Sequence, residues 1–121
     1  MTIRGGITVF SSDLDASLSF YERQLEMDIF DRDPDGFWAR RDELELRVEG
    51  GARPRTRGRH FFEEAGVLVR IETDDFDAFI GGLVGRGVQL FGQVKDSEAG
   101  RFAGFADPDG NLFELVETTE G

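Results

Sequence analysis

The chain has 121 residues, enough for one domain of ordinary size and too few for two independent ones. Its 25 acidic and 14 basic side chains leave a formal net charge of −11, a field that repels nucleic acid and anionic membranes and suits a soluble protein, or one that attracts cationic partners. With no cysteine and one histidine, His60, it has no disulfides, no thiolate nucleophile and no one-chain site built on two imidazoles, such as zincin-type zinc or the two-histidine iron triad.

The run from Ile3 to Phe10 is rich in β-branched and aromatic residues and predicts a strand. Ser11-Ser12-Asp13 offers N-caps for a helix whose apolar face is Leu14, Leu18, Tyr21 and Leu25. Glu26 to Phe30, Phe37 to Arg41 and Leu44 to Val48 read as three further strands, with a turn at Asp33-Pro34-Asp35-Gly36. Gly50 to Glu64 reads as a surface connection, carrying alternate arginines at Arg53, Arg55, Arg57 and Arg59. A strand follows from Val67 to Thr73, then a helix capped by Asp75 with Phe76, Phe79, Ile80 and Leu83 on one face, ended by Gly85 and Gly87. Strands at Val88 to Val94, Phe102 to Ala106 and Leu112 to Val116 complete the chain, the last two joined by Asp107-Pro108-Asp109-Gly110-Asn111. No stretch approaches the roughly 18 apolar residues of a membrane span, and no signal peptide is visible, so the expected location is cytoplasmic.

The order of elements repeats. Asp13-Leu14-Asp15-Ala16 matches Asp75-Phe76-Asp77-Ala78 half a chain away, with Ile7 on Val69 and Val9 on Ile71 at the same offset. The closing strands correspond as Leu44-Glu45-Leu46 with Phe113-Glu114-Leu115. A half of roughly 60 residues buries little surface alone. The expectation is therefore one α+β domain over residues 1–121, made of two tandem βαβββ modules at about 1–50 and 66–121 with a connection at about 51–65. Each module would carry its helix on the outer face of a curved mixed sheet, and the inner faces would combine into a cleft. Gly110 is expected to take a positive φ in its hairpin.

Ser12-Asp13-Leu14-Asp15-Ala16-Ser17-Leu18-Ser19-Phe20-Tyr21 and Asp107-Pro108-Asp109-Gly110-Asn111-Leu112-Phe113-Glu114-Leu115 resemble signatures of the vicinal oxygen chelate superfamily. That superfamily includes glyoxalase I, bleomycin-resistance proteins, extradiol dioxygenases and fosfomycin-resistance enzymes. The resemblance implies a homodimer, and in the enzymes a divalent metal held by the first and last strands of both modules. Carried over by position, the first-strand ligands fall at Gly6 and Leu68, which have no donor, and the last-strand ligands at Glu45 and Glu114. Two carboxylates with waters suit Mg²⁺ or Mn²⁺ weakly, and zinc or iron poorly.

Strand alternation supplies the other candidates. If Ile7, Val9, Leu44, Leu46, Val48, Phe37 and Ala39 face the helix, then Thr8, Phe10, Trp38, Arg40, Glu45 and Arg47 face the other way. In the second module the same logic turns Arg70 and Glu72 away from the helix. Trp38, the only tryptophan, is either core or a ligand platform, and Phe102 or Phe105 either completes an aromatic wall or packs beneath its sheet. Arg40, Arg47 and Arg70 either meet a ligand or neutralise Glu45, Glu72 or Glu114. His60 has no recognisable partner, Phe61-Phe62 read as anchors of the connection, and Tyr21 reads as packing.

The leading expectation is a small-molecule binding protein of the bleomycin-resistance type, needing no cofactor, with Trp38, Arg40, Glu45, Arg47, Arg70, Phe102, Phe105 and Glu114 around an aromatic or cationic ligand. The alternatives are a lyase, isomerase or hydrolase using Mg²⁺ or Mn²⁺ on Glu45 and Glu114, and a metal-free enzyme with a glutamate base.

Overall fold

The computed structural model describes residues 1–54 and 66–118. The chain divides into two compact units, Met1–Arg55 and Thr56–Gly121. In the first unit, strand β1 (Thr8–Phe10) is followed by helix α1 (Leu14–Ser19), a π-helical segment (Phe20–Gln24) and strands β2 (Asp28–Asp33), β3 (Gly36–Arg41) and β4 (Leu44–Glu49). In the second, β5 (Val69–Thr73) is followed by α2 (Phe76–Gly85), β6 (Lys95–Ser97), β7 (Gly100–Ala106) and β8 (Leu112–Glu117). The sheet orders are β1-β4-β3-β2 and β5-β8-β7-β6. In both, the first strand runs parallel to the last and the other neighbours are antiparallel. The internal repeat is therefore real, and the architecture is α+β as expected.

Each helix starts where a carboxylate caps it. Asp13 Oδ1 accepts from the amides of Asp15 (3.1 Å) and Ala16 (3.2 Å), and Asp75 Oδ1 accepts from that of Ala78 (3.2 Å). Helix α2 ends in a Schellman motif: the Val88 amide donates to Leu83 O (2.9 Å), the Gly87 amide to Val84 O (3.1 Å), and Gly87 has φ 89°. In the first unit the helix widens after Ser19, and the Leu25 amide reaches back five residues to Phe20 O (2.9 Å). The widening rotates the buried face onto Ser17, Phe20, Tyr21 and Leu25, leaving Leu14 and Leu18 half-buried. Tyr21 packs edge-on to Phe37 of β3 at 6.3 Å between centroids. Val9, Phe37, Ala39, Leu46 and Val48 form the sheet side of that core.

The second core sets Phe76 and Leu83 beside Val69, Ile71, Ala103, Phe105, Phe113 and Leu115. Arg101 ties helix to sheet: it donates to Asp77 Oδ1 (2.8 Å) and Glu117 Oε2 (2.7 Å), with its guanidinium 4.8 Å from the Phe76 ring centroid. Gly110 has φ 82°, as its hairpin requires, and Asp107 Oδ1 gathers the amides of Asp109 (3.0 Å) and Asn111 (2.8 Å).

Three expectations are corrected. Strand β1 is short, because Gly5 and Gly6 supply neither side-chain packing nor strand propensity. The strand expected at Val88 to Val94 lies at Lys95–Ser97; Leu90 makes one bridge to Phe105, and Gly92 with φ 69° then breaks the extended run. The correspondence of Glu45 with Glu114 shifts by two residues. Val9 pairs with Val48 and its counterpart Ile71 with Leu115, so Glu114 is matched by Arg47. A period-two pattern reads the same after a shift of two, so alternation alone does not separate the registers.

Candidate functional site

The face of the first sheet opposite α1 carries most of the candidates. One rung runs Thr8, Arg47, Trp38, Phe30 across β1, β4, β3 and β2. Trp38 and Phe30 are half-buried and stack with centroids 6.3 Å apart and planes inclined by 28°. The adjoining rung sets Glu45, Arg40 and Asp28 side by side. The Arg40 guanidinium lies 4.4 Å from the Phe30 ring centroid, and its Nε donates to Glu45 Oε2 at 3.0 Å. The result is an aromatic platform with a guanidinium laid over part of it.

Arg47 is held more firmly, its side chain only 12% exposed. Its Nε donates to Glu49 Oε2 (2.8 Å) and its Nη2 to Asp33 Oδ2 (3.2 Å). Asp33 Oδ1 also accepts the Asp35 (2.7 Å) and Gly36 (3.0 Å) amides, so the turn fixes the carboxylate in place. The Arg47 bond, then these amides, hold the Asp33 carboxyl below its ordinary range, and the two carboxylates raise Arg47. Gly36 is a steric requirement of this corner, because a Cβ there would meet the carbonyl oxygen of Val48.

The second sheet also turns candidates away from its helix. Arg70 pairs in register with Glu114, and Glu72, Val116 and Phe102 share a rung. Arg70 Nη2 lies 3.2 Å from Glu72 Oε1, with both side chains more than half exposed, so the pair contributes little to stability. Phe102 is half-buried on this face. Phe105 is not: it has the opposite strand parity, is 0% exposed, and stacks on Phe113 at 5.1 Å within the core. It leaves the candidate set.

Trp38, Arg40, Glu45 and Arg47 thus share the first sheet's open face, and Arg70, Phe102 and Glu114 that of the second. Arg40 pairs with Glu45 and Arg70 with Glu72, but both pairs are exposed and form no buried network, while Arg47 takes Asp33 and Glu49 instead. Phe30, Asp33 and Glu49 were not among the expected site residues, although Asp33 was placed in its turn. Tyr21 is fully buried and packs, as expected. His60, Phe61, Phe62, Arg55, Arg57 and Arg59 lie outside the described residues.

The donors do not fit the four-ligand metal centre that the family resemblance implies. Gly6 and Leu68 have no side-chain donor, Glu45 is bonded to Arg40, and Glu114 stands in register with a guanidinium-bearing residue. Among the described residues no three His, Cys, Asp or Glu side chains are grouped to hold a metal, and no helix is long and apolar enough to cross a membrane.

A sequence profile described as the glyoxalase/bleomycin resistance protein/dioxygenase superfamily matches residues 5–115. Among solved structures, an antibiotic binding protein, TnmS3 from Streptomyces sp. CB03234, is 23% identical with a TM-score of 0.70, covering 98% of this chain and 99% of its own. A bleomycin resistance determinant encoded on the transposon Tn5 is 22% identical with a TM-score of 0.76, covering 98% and 100%. A fosfomycin resistance protein from Listeria monocytogenes, complexed with Mn(II) and a dihydroxypropylphosphonic acid, is 18% identical with a TM-score of 0.74, covering 98% and 93%. At these identities the likeness is one of fold. No curated protein sequence matches the chain.

Proposed function

The chain belongs to the glyoxalase/bleomycin resistance protein/dioxygenase superfamily, and on that premise we propose that it binds an aromatic or cationic small molecule without the help of a metal. The observation that carries the reading is the stacked Trp38–Phe30 platform on the open face of the first sheet, with Arg40 and Arg47 at its border. A flat ligand gains dispersion and quadrupole attraction over such rings, and a cation also gains from the −11 field. The poor fit of Gly6, Leu68, Glu45 and Glu114 to a metal centre favours binding over Lewis-acid chemistry. Two relatives of the same fold, the TnmS3 protein and the Tn5 determinant, are described by antibiotic binding and bleomycin resistance, which makes such compounds the first to try.

Isothermal titration with bleomycin and with planar aromatic antibiotics tests the reading. Trp38 is the only tryptophan, so its emission reports directly on this face. The expected result is saturable binding with a change in Trp38 emission. If no compound binds more tightly than about millimolar, a free energy of about −4 kcal/mol, the binding reading is withdrawn.

A further inference from the structure

Arg47 stands beside Trp38 on the same rung and, left to itself, would anchor an anion next to the indole. The structure opposes that by pairing the guanidinium with two carboxylates. Glu49 occupies its Nε, and Asp33 its Nη2 through both oxygens, at 3.2 and 3.3 Å. Asp33 is fixed by two turn amides and so is pre-organised against the guanidinium. Arg40 is likewise committed to Glu45 and laid on Phe30. On this face of the described sheet two guanidiniums are bonded to three carboxylates, Asp33, Glu45 and Glu49, and a fourth, Asp28, stands in register with Arg40. Both guanidiniums are already charge-paired, Arg40 through Nε and Arg47 through Nε and Nη2, and the excess charge on the face is negative.

We propose that Asp33 and Glu49 are specificity-determining residues: by holding the Arg47 guanidinium between them, they make the Trp38–Phe30 platform select a planar cation over a planar anion. The inference deepens the ligand-binding reading above and rests on it. Asp33→Asn keeps the Oδ1 acceptor that the turn needs and loses only the charge. Glu49→Gln keeps length and shape in the same way. Together they release Arg47 toward the platform, so preference should move toward the anion.

The test is calorimetric titration of three probes of similar size: proflavine as the cation, acridine as the neutral ring system and an anthracene carboxylate as the anion, at low and physiological ionic strength. The parent should bind proflavine at least about tenfold more tightly than the carboxylate, and the D33N/E49Q variant should shrink that ratio by about tenfold. The ratio should also fall with salt in the parent. Equal affinities for cation and anion in the parent, with acridine bound, overturn this inference and leave the binding reading intact. So does an unchanged ratio in a folded double variant. If the double variant does not fold, E49Q alone, which leaves the turn untouched, must move the ratio in the same direction, and no movement overturns the inference. Failure of all three probes to bind the parent overturns this inference, and overturns the binding reading as well where bleomycin and the planar antibiotics also fail.

Discussion

The hydroxyls of Ser11 and Ser17 meet at 2.6 Å inside the first core, both residues almost fully buried. Ser11 Oγ also accepts the Asp13 amide at 3.2 Å, so the pair joins the end of β1 to the first turns of α1. An apolar helix face with a serine at its centre works only because that serine is satisfied. Ser17→Ala leaves Ser11 short of a partner and should cost about 1–2 kcal/mol in urea unfolding. The Ser11→Ala/Ser17→Ala double variant should cost less than the two single changes together, because no buried hydroxyl is then stranded. Strict additivity in the cycle would show that the hydroxyls do not interact.

Two aromatic residues that look alike in sequence should part company on mutation. Phe105 is core, stacked on Phe113, and Phe105→Ala should lose about 3–5 kcal/mol of stability. Trp38 is half-buried on the open face, and Trp38→Ala should lose about 1 kcal/mol while abolishing ligand binding. Denaturation midpoints and titration of the two variants check the pair. A Trp38→Ala protein that binds as the parent does removes the platform from the site.

The helix caps, the repeat and the face of nearly every strand residue were legible because each depends on local chemistry. Asp13 and Asp75 signal their caps, and alternation places Val9, Leu46 and Val48 inward and Trp38, Arg40 and Arg47 outward. Register across strands was not legible, since Leu44-Glu45-Leu46 and Leu46-Arg47-Val48 present the same pattern. Asp33 was hidden for a different reason. An irregularity between Phe30 and Asp33, with Asp31 at φ 49°, breaks alternation and brings Asp33 to the same side as Phe30 and Arg47. Its turn role was visible and its ion pair was not.

Gly36 is where that corner is most exposed to disruption. A methyl group would press on the Val48 carbonyl and on the Arg47 guanidinium, both part of the strand that carries the site. Gly36→Ala should therefore destabilise by about 3 kcal/mol, read from the urea midpoint. Ligand affinity should fall with it, as β3 and β4 separate where Glu49 meets Arg47. A variant of parental stability would mean that the strands yield freely there.

Acid should loosen both units through arginine-bound carboxylates. The Arg101 side-chain bond, followed by its amide, lowers the Glu117 carboxyl from its ordinary 4.5, and Arg47 lowers Asp33 from 3.8. A carboxyl more acidic in the folded than in the unfolded chain binds fewer protons when folded. Its contribution is complete above the unfolded value and is lost as pH falls through the lower, folded one. Stability should therefore drop below about pH 4.5, and Glu117→Gln should flatten part of that drop. Urea midpoints across the acid range check the slope, and an unchanged slope in the variant would dissociate Glu117 from it.

Metal addition separates the binding reading from a metal-dependent one. Mg²⁺ and Mn²⁺ ask for several oxygen donors in near-octahedral array. The resemblance offers only Glu45 and Glu114, the first already bonded to Arg40 and the second in register with Arg70. A cation arriving at Glu45 meets the Arg40 guanidinium on the same carboxylate, and one arriving at Glu114 finds a single carboxylate with a positive side chain in register beside it, so Mn²⁺ should bind no more tightly than about millimolar and Glu114→Ala should leave its titration unchanged. Ligand binding should survive chelator treatment for the same reason, since the Trp38–Phe30 stack and the Arg47 clamp are made entirely of side chains. Micromolar Mn²⁺ affinity that disappears in Glu114→Ala would instead establish Glu114 as a ligand, with the Lewis-acid chemistry that such a centre supplies.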